Sequence, residues 1–160
     1  MEFCTGGYGF AEFNAAGWKV KMRRVAVVLA RAYKRGDFQA VAVTGSSGVS
    51  AAFAVRALLP DDVDIPFIVV RKDGEGSHAG KITVASGRGT DFMEITKVAI
   101  LDDLVASGTT LQRIMQGLNS DAGNEERVRC VTVYTYTVHS FPRDMTPDGS
   151  DDVFHIVSVQ

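Results

Sequence analysis

The sequence has little of several residue types whose patterns would assign it to a familiar class. It contains 2 cysteines, Cys4 and Cys130, which stand too far apart to form a metal-binding pair. The histidines His78, His139 and His155 are scattered, which argues against a zinc site. No block of basic residues occurs and the formal net charge is −2, so a nucleic-acid partner is not expected.

Apolar stretches long enough to cross a membrane are also missing, and we expect no membrane partner. The first residues include Glu2 and Glu12 and lack the apolar region of a secretory signal, so a cytoplasmic location is expected. A length of 160 residues, with 46% hydrophobic and 22% charged residues, is ordinary for a globular protein. We therefore expect residues 1–160 to form a single domain.

Two known sequence motifs, one for phosphate binding and one for acyl transfer, are each incomplete because one required residue is missing. A P-loop would need a lysine after its glycines, and residues 45–50 contain none. The nucleophile elbow G-x-S-x-G would begin at Gly45 but would end at Val49 instead of glycine. We therefore interpret Ser46 and Ser47 as hydroxyl groups of a loop and not as nucleophiles.

The most informative stretch is residues 98–110, VAILDDLVASGTT. Four apolar residues lead into Asp102 and Asp103, and a loop of small residues follows. Apolar residues then recur at the spacing of one buried helix face: Leu111, Ile114, Met115 and Leu118. The pattern predicts a strand, an acidic pair, a tight loop and a helix.

The chemistry of this stretch suits a phosphorylated sugar. Backbone N–H groups at a helix N-terminus stabilise an anion, whereas two carboxylates accept hydrogen bonds from hydroxyl groups or bind a metal ion. A ribose with its hydroxyls on Asp102 and Asp103 and its 5-phosphate in the loop would satisfy both halves. The structural alternative is a buried strand followed by two solvated acids and a helix cap.

The rest of the chain alternates strands with helices. The expected elements are a helix at 18–35 ending near Gly36, a strand at 38–43, a small-residue loop at 44–48, a helix at 49–59, a strand at 65–70, a β-hairpin of 81–85 with 92–96, a strand at 129–138, a loop at 139–152 and a strand at 153–159. This alternation predicts an α/β fold whose mainly parallel sheet is flanked by helices. Ligands bind such sheets beyond the carboxyl ends of the strands, where residues 44–48, 71–72, 102–110 and 137–141 fall.

Residues 98–110 resemble the ribose-phosphate-binding motif of the type I phosphoribosyltransferases. The resemblance extends over about residues 38–138. Residues 44–48 correspond to the pyrophosphate-binding loop of that family, and residues 71–72 to the basic pair that opens its flexible catalytic loop. It implies the type I phosphoribosyltransferase fold, with a flexible loop and hairpin at 72–97 and a small hood to which the N-terminal arm and helix, residues 1–36, would contribute.

The resemblance also implies a reaction: Mg²⁺-dependent transfer of 5-phosphoribose from 5-phosphoribosyl-1-pyrophosphate (PRPP) to a nitrogenous base, with release of pyrophosphate. The implied catalytic residues are Asp102, Asp103, Lys72 and His78. The two aspartates would also hold the metal, directly or through water or the ribose hydroxyls. Ala106, Ser107, Gly108, Thr109 and Thr110 would bind the 5-phosphate, and Thr44, Gly45, Ser46, Arg71 and Lys72 would bind pyrophosphate.

Two departures from the family pattern bear on the acceptor and on turnover. Ala106 stands where members that act on 6-oxopurines usually have an acid, which favours an orotate-like or adenine-like acceptor. Glu75 stands near the position of a catalytic loop lysine, so either Lys72 or Lys81 takes that role or the loop is catalytically weak. A non-catalytic PRPP sensor of the same fold and a different phosphate-handling α/β protein therefore stay open. Members of the family are often dimers, so a homodimer is expected.

Overall fold

The computed structural model describes residues 15–71, 82–85, 94–121, 128–137, 144–146 and 153–159. Its elements are α1 (Ala15–Lys34), β1 (Ala40–Thr44), α2 (Gly45–Arg56), β2 (Phe67–Val70), β3 (Ile82–Ala85), β4 (Lys97–Asp102), α3 (Thr109–Asp121), β5 (Arg129–Thr135), β6 (Asp144–Met145) and β7 (Phe154–Ser158).

The strands form one sheet in the order β3-β2-β1-β4-β5-β7-β6. The five strands from β2 to β7 in this order are parallel, and β3 and β6 pair antiparallel at the two edges. The chain passes from β1 to β2 and later returns to β4 on the other side of β1, so the direction of winding reverses between β1 and β4. Such a switch point leaves a crevice at the carboxyl ends of the two strands. The predicted mainly parallel α/β fold is confirmed.

Helices cover both faces of the sheet. Successive side chains of a strand point to opposite faces, and in the central strands both sets of side chains are apolar and must be buried. All five residues of β1 are buried. Val41 and Val43 pack with the buried residues of α1 and α2, whereas Ala40 and Ala42 pack with those of α3. The order is therefore helix, sheet, helix, with the crevice at one end of the sheet layer.

Helix α1 forms where the apolar spacing predicts it, and Gly36 ends it. The Gly36 N–H donates to the Tyr33 carbonyl at 2.9 Å, and the Asp37 N–H donates to the Ala32 carbonyl at 3.1 Å. Gly36 takes a φ of 77°, which glycine adopts without the Cβ penalty of other residues. Among the described residues no helix has both the length and the apolar composition that a bilayer crossing needs.

The loop expected at residues 44–48 is wrong, because α2 begins directly at Gly45. Thr44 is still extended, and Gly45 takes a φ of 66°, so the chain turns from strand to helix within one residue. Gly48 lets this first turn lie close to β1, since a Cβ there would be 3.3 Å from the Val43 Cβ. The helix ends at Arg56, short of the expected residue 59.

The expected hairpin is confirmed only in its first strand. β3 pairs with β2, and residues 94–96 form no strand, while 92 and 93 lie outside the described residues. The Gln39 side chain gives the reason: its Oε1 accepts the N–H groups of Thr96 and Lys97, each at 2.9 Å, and so takes the place of a strand partner. The loop expected at 139–152 contains the two-residue strand β6, where Asp144 pairs with His155.

Candidate functional site

A cleft of about 460 Å³ opens at the carboxyl ends of β1 and β4. One wall consists of Thr44, Gly45, Ser46 and Ser47, and the other is the continuous stretch from Asp102 to Leu111. The structure thus brings together the predicted acidic pair, the predicted loop residues 106–110 and the predicted residues 44–46. The volume lies in the range of small-molecule sites.

The acidic pair ends β4 with both carboxylates held. Asp102 is buried, and its Oδ1 accepts the N–H of Asp103 at 2.9 Å. Asp103 is half-buried, and its Oδ1 accepts the N–H of Leu104 at 2.9 Å. Since each bond joins a carboxylate to the next backbone unit, the turn itself restricts the orientation of both side chains.

The loop after the acidic pair leads into the N-terminus of α3. Val105 is buried in the α3 side of the core and anchors the loop. Gly108 takes a φ of 77°, and its carbonyl accepts the Gln112 N–H at 3.0 Å, the first bond of the helix. The Ser107 Oγ lies 2.8 Å from the Thr109 Oγ1. The first N–H groups of a helix have no acceptor within it, and the first turn of α3 contains no acidic residue, so this wall attracts an anion.

The opposite wall is also a helix N-terminus. The first turn of α2 contains no acidic residue. The Thr44 Oγ1 donates to the Val70 carbonyl at 2.7 Å, a buried bond that ties the end of β1 to the end of β2. Two positive helix ends therefore face one cleft, with two carboxylates beside them. This arrangement suits a ligand with two separate anionic groups joined by a part that donates hydrogen bonds.

Three predicted site residues remain, and of these only Arg71 belongs to the part of the chain that the structure describes. Arg71 directly follows β2 and is half-buried, but it is not among the residues of the cleft wall. Lys72 and His78 lie outside the described residues. The roles proposed for these three side chains stay predictions.

Several residues of the site received no individual binding or catalytic role from the sequence, although Ser47 and Leu104 lie within the predicted stretches 44–48 and 102–110. Ser47 and Leu104 line the cleft, and Tyr136 and Thr137 support it from behind. The Tyr136 hydroxyl donates to the Ser47 carbonyl at 3.4 Å, and the Thr137 hydroxyl donates to the Asp103 carbonyl. The only sequence signal for the last two was their place at the carboxyl end of a predicted strand.

Asp102 and Asp103 fit a magnesium ion that is shared with a ligand. Mg²⁺ keeps several waters and is usually held by one or two carboxylates together with substrate phosphates. Within the described ranges no group of three or more His, Cys, Asp or Glu side chains could hold a metal. The donor set therefore suits a metal that arrives with a phosphorylated ligand better than an ion caged by protein alone.

The fold is similar to that of several solved phosphoribosyltransferases. Orotate phosphoribosyltransferase of Francisella tularensis aligns with a TM-score of 0.55 and 16% identity, over 85% of this chain and 57% of that one. The enzyme of Mycobacterium tuberculosis in complex with PRPP aligns with a TM-score of 0.51 and 16% identity, over 78% and 62%. UMP synthase of Leishmania donovani aligns with a TM-score of 0.50 and 23% identity, over 79% and 23%. The chain thus spans less than two thirds of each of these proteins.

No curated protein sequence matches this chain. The model of the phosphoribosyl transferase domain, however, matches residues 18–159, which include both walls of the cleft. The chain therefore belongs to the type I phosphoribosyltransferase family.

Proposed function

We propose that the protein binds PRPP and transfers its 5-phosphoribosyl group to a nitrogen of a nucleobase, with release of pyrophosphate. The observation that carries the proposal is the pairing of two helix N-termini across one cleft with Asp102 and Asp103 beside them. PRPP has the matching chemistry, since its 5-phosphate and its pyrophosphate are separated by a ribose that carries two hydroxyl groups.

Each wall takes the part of PRPP that its charge favours. The 5-phosphate binds the N-terminus of α3 at residues 106–110, and the pyrophosphate binds the first turn of α2 at residues 44–46. The ribose hydroxyls donate hydrogen bonds to the carboxylates of Asp102 and Asp103. These contacts hold the reacting carbon through groups remote from it, which lowers the entropic part of the barrier.

In the reaction the bond between C1 of the ribose and the pyrophosphate oxygen breaks, and pyrophosphate leaves with the electron pair. The lone pair of the base nitrogen forms the new C1–N bond, and a proton carried by that nitrogen is released to a base or to solvent. Positive charge develops on the ribose ring, and the fixed carboxylates of Asp102 and Asp103 stabilise it. Asp102 and Asp103 would hold Mg²⁺ together with the ligand, and the ion would supply positive charge that neutralises the pyrophosphate.

The acceptor we propose is orotate-like or adenine-like. Ala106 is exposed at the mouth of the loop and offers only a methyl group. The stretch from Leu104 to Leu111 contains no carboxylate that could accept a hydrogen bond from a 6-oxopurine. This follows the family pattern in which the 6-oxopurine members have an acid at the position of Ala106.

A second function, a PRPP sensor without turnover, is favoured by one observation. The described walls of the cleft contain neither lysine nor arginine. A cation near the pyrophosphate is the group that would help it depart, so these walls by themselves support binding better than catalysis.

The test is incubation of the protein with Mg²⁺, PRPP and one base at a time from orotate, adenine, hypoxanthine and guanine. Pyrophosphate release is measured together with the nucleotide product, and PRPP affinity is measured by calorimetry. The matched inactive control is the double variant Asp102→Asn, Asp103→Asn. Release with orotate or adenine supports the transferase; PRPP binding without release for any base supports the sensor; and no PRPP binding refutes both.

A further inference from the structure

Two adjacent residues directly after β5 contact both walls of the cleft. β5 lies beside β4, and Asp102 is in register with Thr135. The next two residues of the chain, Tyr136 and Thr137, therefore continue alongside the turn that carries Asp103. Their side chains reach different walls.

Tyr136 contacts the α2 wall. Its side chain is buried, and its hydroxyl donates to the Ser47 carbonyl in the first turn of α2 at 3.4 Å. Its ring stands edge-on to Trp18 of α1, with centroids 5.5 Å apart and planes at 85°. The Trp18 contact restricts the ring, so the hydroxyl has a defined position against α2.

Thr137 contacts the acidic wall. Its hydroxyl donates to the Asp103 carbonyl, a backbone oxygen of a residue that lines the cleft. The backbone on both sides is held by the neighbouring strand β7. The Val159 N–H donates to the Thr135 carbonyl at 2.8 Å, and the Ser158 Oγ lies 3.5 Å from the Thr137 carbonyl.

We propose that Tyr136 and Thr137 are positioning residues that set the separation and orientation of the two walls. The inference rests on the proposed function, because it assigns the α2 wall to pyrophosphate and the acidic wall to ribose 5-phosphate. Neither residue lines the described cleft; each acts through a backbone carbonyl of a wall residue. Because one dipeptide directly after β5 contacts both walls, a movement of the end of β5 would change the whole site.

The effects of the two contacts can be measured separately with ligands that each bind only one wall. Thr137→Val removes the hydroxyl at nearly constant volume, and Tyr136→Phe removes the hydroxyl but keeps the ring on Trp18. Ribose 5-phosphate probes the acidic wall, Mg²⁺-pyrophosphate probes the α2 wall, and PRPP spans both. Affinities are measured by calorimetry, and thermal unfolding verifies that each variant is folded. Should Thr137→Val unfold, Thr137→Ala gives a second removal of the same hydroxyl.

The first two controls each remove a hydroxyl group that forms no hydrogen bond to either wall in the described structure. Thr135→Val removes a hydroxyl two residues earlier in β5 that is buried and has no hydrogen-bond partner among the described residues. Tyr33→Phe removes a hydroxyl from α1. Thr137→Ser keeps the hydrogen-bond donor and should restore wild-type affinity.

The expected result is a crossed pattern. Thr137→Val lowers the affinity for ribose 5-phosphate about three- to tenfold and leaves the affinity for pyrophosphate unchanged. Tyr136→Phe weakens pyrophosphate about two- to threefold, less because its hydrogen bond is long, and leaves ribose 5-phosphate unchanged. The affinity for PRPP is lowered in both variants and is unchanged in the two controls Thr135→Val and Tyr33→Phe.

Three outcomes of the comparison between variants would overturn the inference. An equal loss for both half-ligands in either variant would indicate a general structural role, and no loss for either half-ligand would remove the role altogether. Failure of Thr137→Ser to restore binding would show that the hydroxyl is not the important group. A wild-type protein that binds none of the three ligands refutes the proposed function itself, and this inference with it, before any variant is compared.

Discussion

Replacement of Gly117 by alanine should displace the phosphate-binding end of α3. Gly117 faces β2, and a methyl group built on it would lie 2.5 Å from the Cγ1 atom of Val70. Ordinary carbon–carbon contacts are about 3.5–4.0 Å, so about 1 Å must be gained by movement. Val70 is buried at the end of β2 and is β-branched, so its side chain has little freedom to rotate. We expect the helix to move outward.

The stability change is the difference of two opposing effects. Overpacking of a well-packed contact costs about 1–3 kcal/mol, whereas alanine in place of glycine stabilises a helix by about 1 kcal/mol. The expected loss is therefore about 1 kcal/mol, which lowers Tm by about 2–4 °C in a chain of this size.

The functional change should be larger than the stability change. Thr109, the first residue of α3, lies about 12 Å from Gly117 along the helix axis, so the phosphate-binding wall moves with the helix. Asp102 stays in place because it belongs to β4. A misplacement of about 1 Å between groups that hold one substrate can cost about 100-fold in rate. PRPP affinity and pyrophosphate release, measured beside thermal unfolding, give both quantities.

Gly36→Ala is the matched control. Gly36 has a φ of 77° and open space around its Cβ direction, so alanine there introduces backbone strain of about 1–2 kcal/mol without a clash. It precedes β1, at the end of the sheet opposite the cleft, and PRPP binding should not change. A rise in Tm for Gly117→Ala would refute the expected displacement of α3, and so would a lower Tm with unchanged PRPP affinity and turnover.

The remaining predictions concern the site chemistry and one buried tyrosine. Asp103→Asn should weaken PRPP binding or turnover about 10- to 100-fold, which corresponds to the free energy of one hydrogen bond to a charged group. Tm should change little, because Asp103 is half-buried at a strand end. Wild-type activity in this variant would contradict the role of the acidic pair. Gly108→Val should abolish binding of PRPP, since Gly108 needs a φ of 77°, and retained affinity would exclude residues 106–110 as the phosphate loop. Chelation by EDTA should stop pyrophosphate release and added Mg²⁺ should restore it, whereas release in EDTA would argue against a metal. Burial raises the pKa of Tyr134 above its ordinary value of 10.0. The stability that this group contributes is therefore present below pH 10 and is lost as the pH rises through the folded-state pKa. Urea unfolding as a function of pH should show this loss in the wild type and less of it in Tyr134→Phe.

The local elements of the fold were largely predictable, because each depends on the spacing of neighbouring apolar residues. α1, β4, α3 and β7 lie where the pattern placed them, and Gly36 ends α1 as expected. The two errors have different causes: one arose where backbone N–H groups bond to a side chain distant in the sequence, and the other where a turn packs against the strand that precedes it. The N–H groups of residues 96–97 bond to the Gln39 side chain and not to a hairpin partner, and the expected loop at 44–48 is a helical turn because it packs against β1.

The candidate site likewise has a part that was predictable from the sequence and a part that depends on the tertiary structure. The sequence by itself determined the acidic pair, the small-residue loop and the helix that follows, since all three are contiguous and their chemistry depends on neighbouring backbone groups. Only the tertiary structure decided that a second helix N-terminus faces this motif, that Tyr136 and Thr137 contact both walls, and that Arg71 does not line the described cleft. The physical reason is that the order of strands in a sheet is set by long-range pairing and burial, and the local periodicity of a strand is the same whichever strand lies beside it.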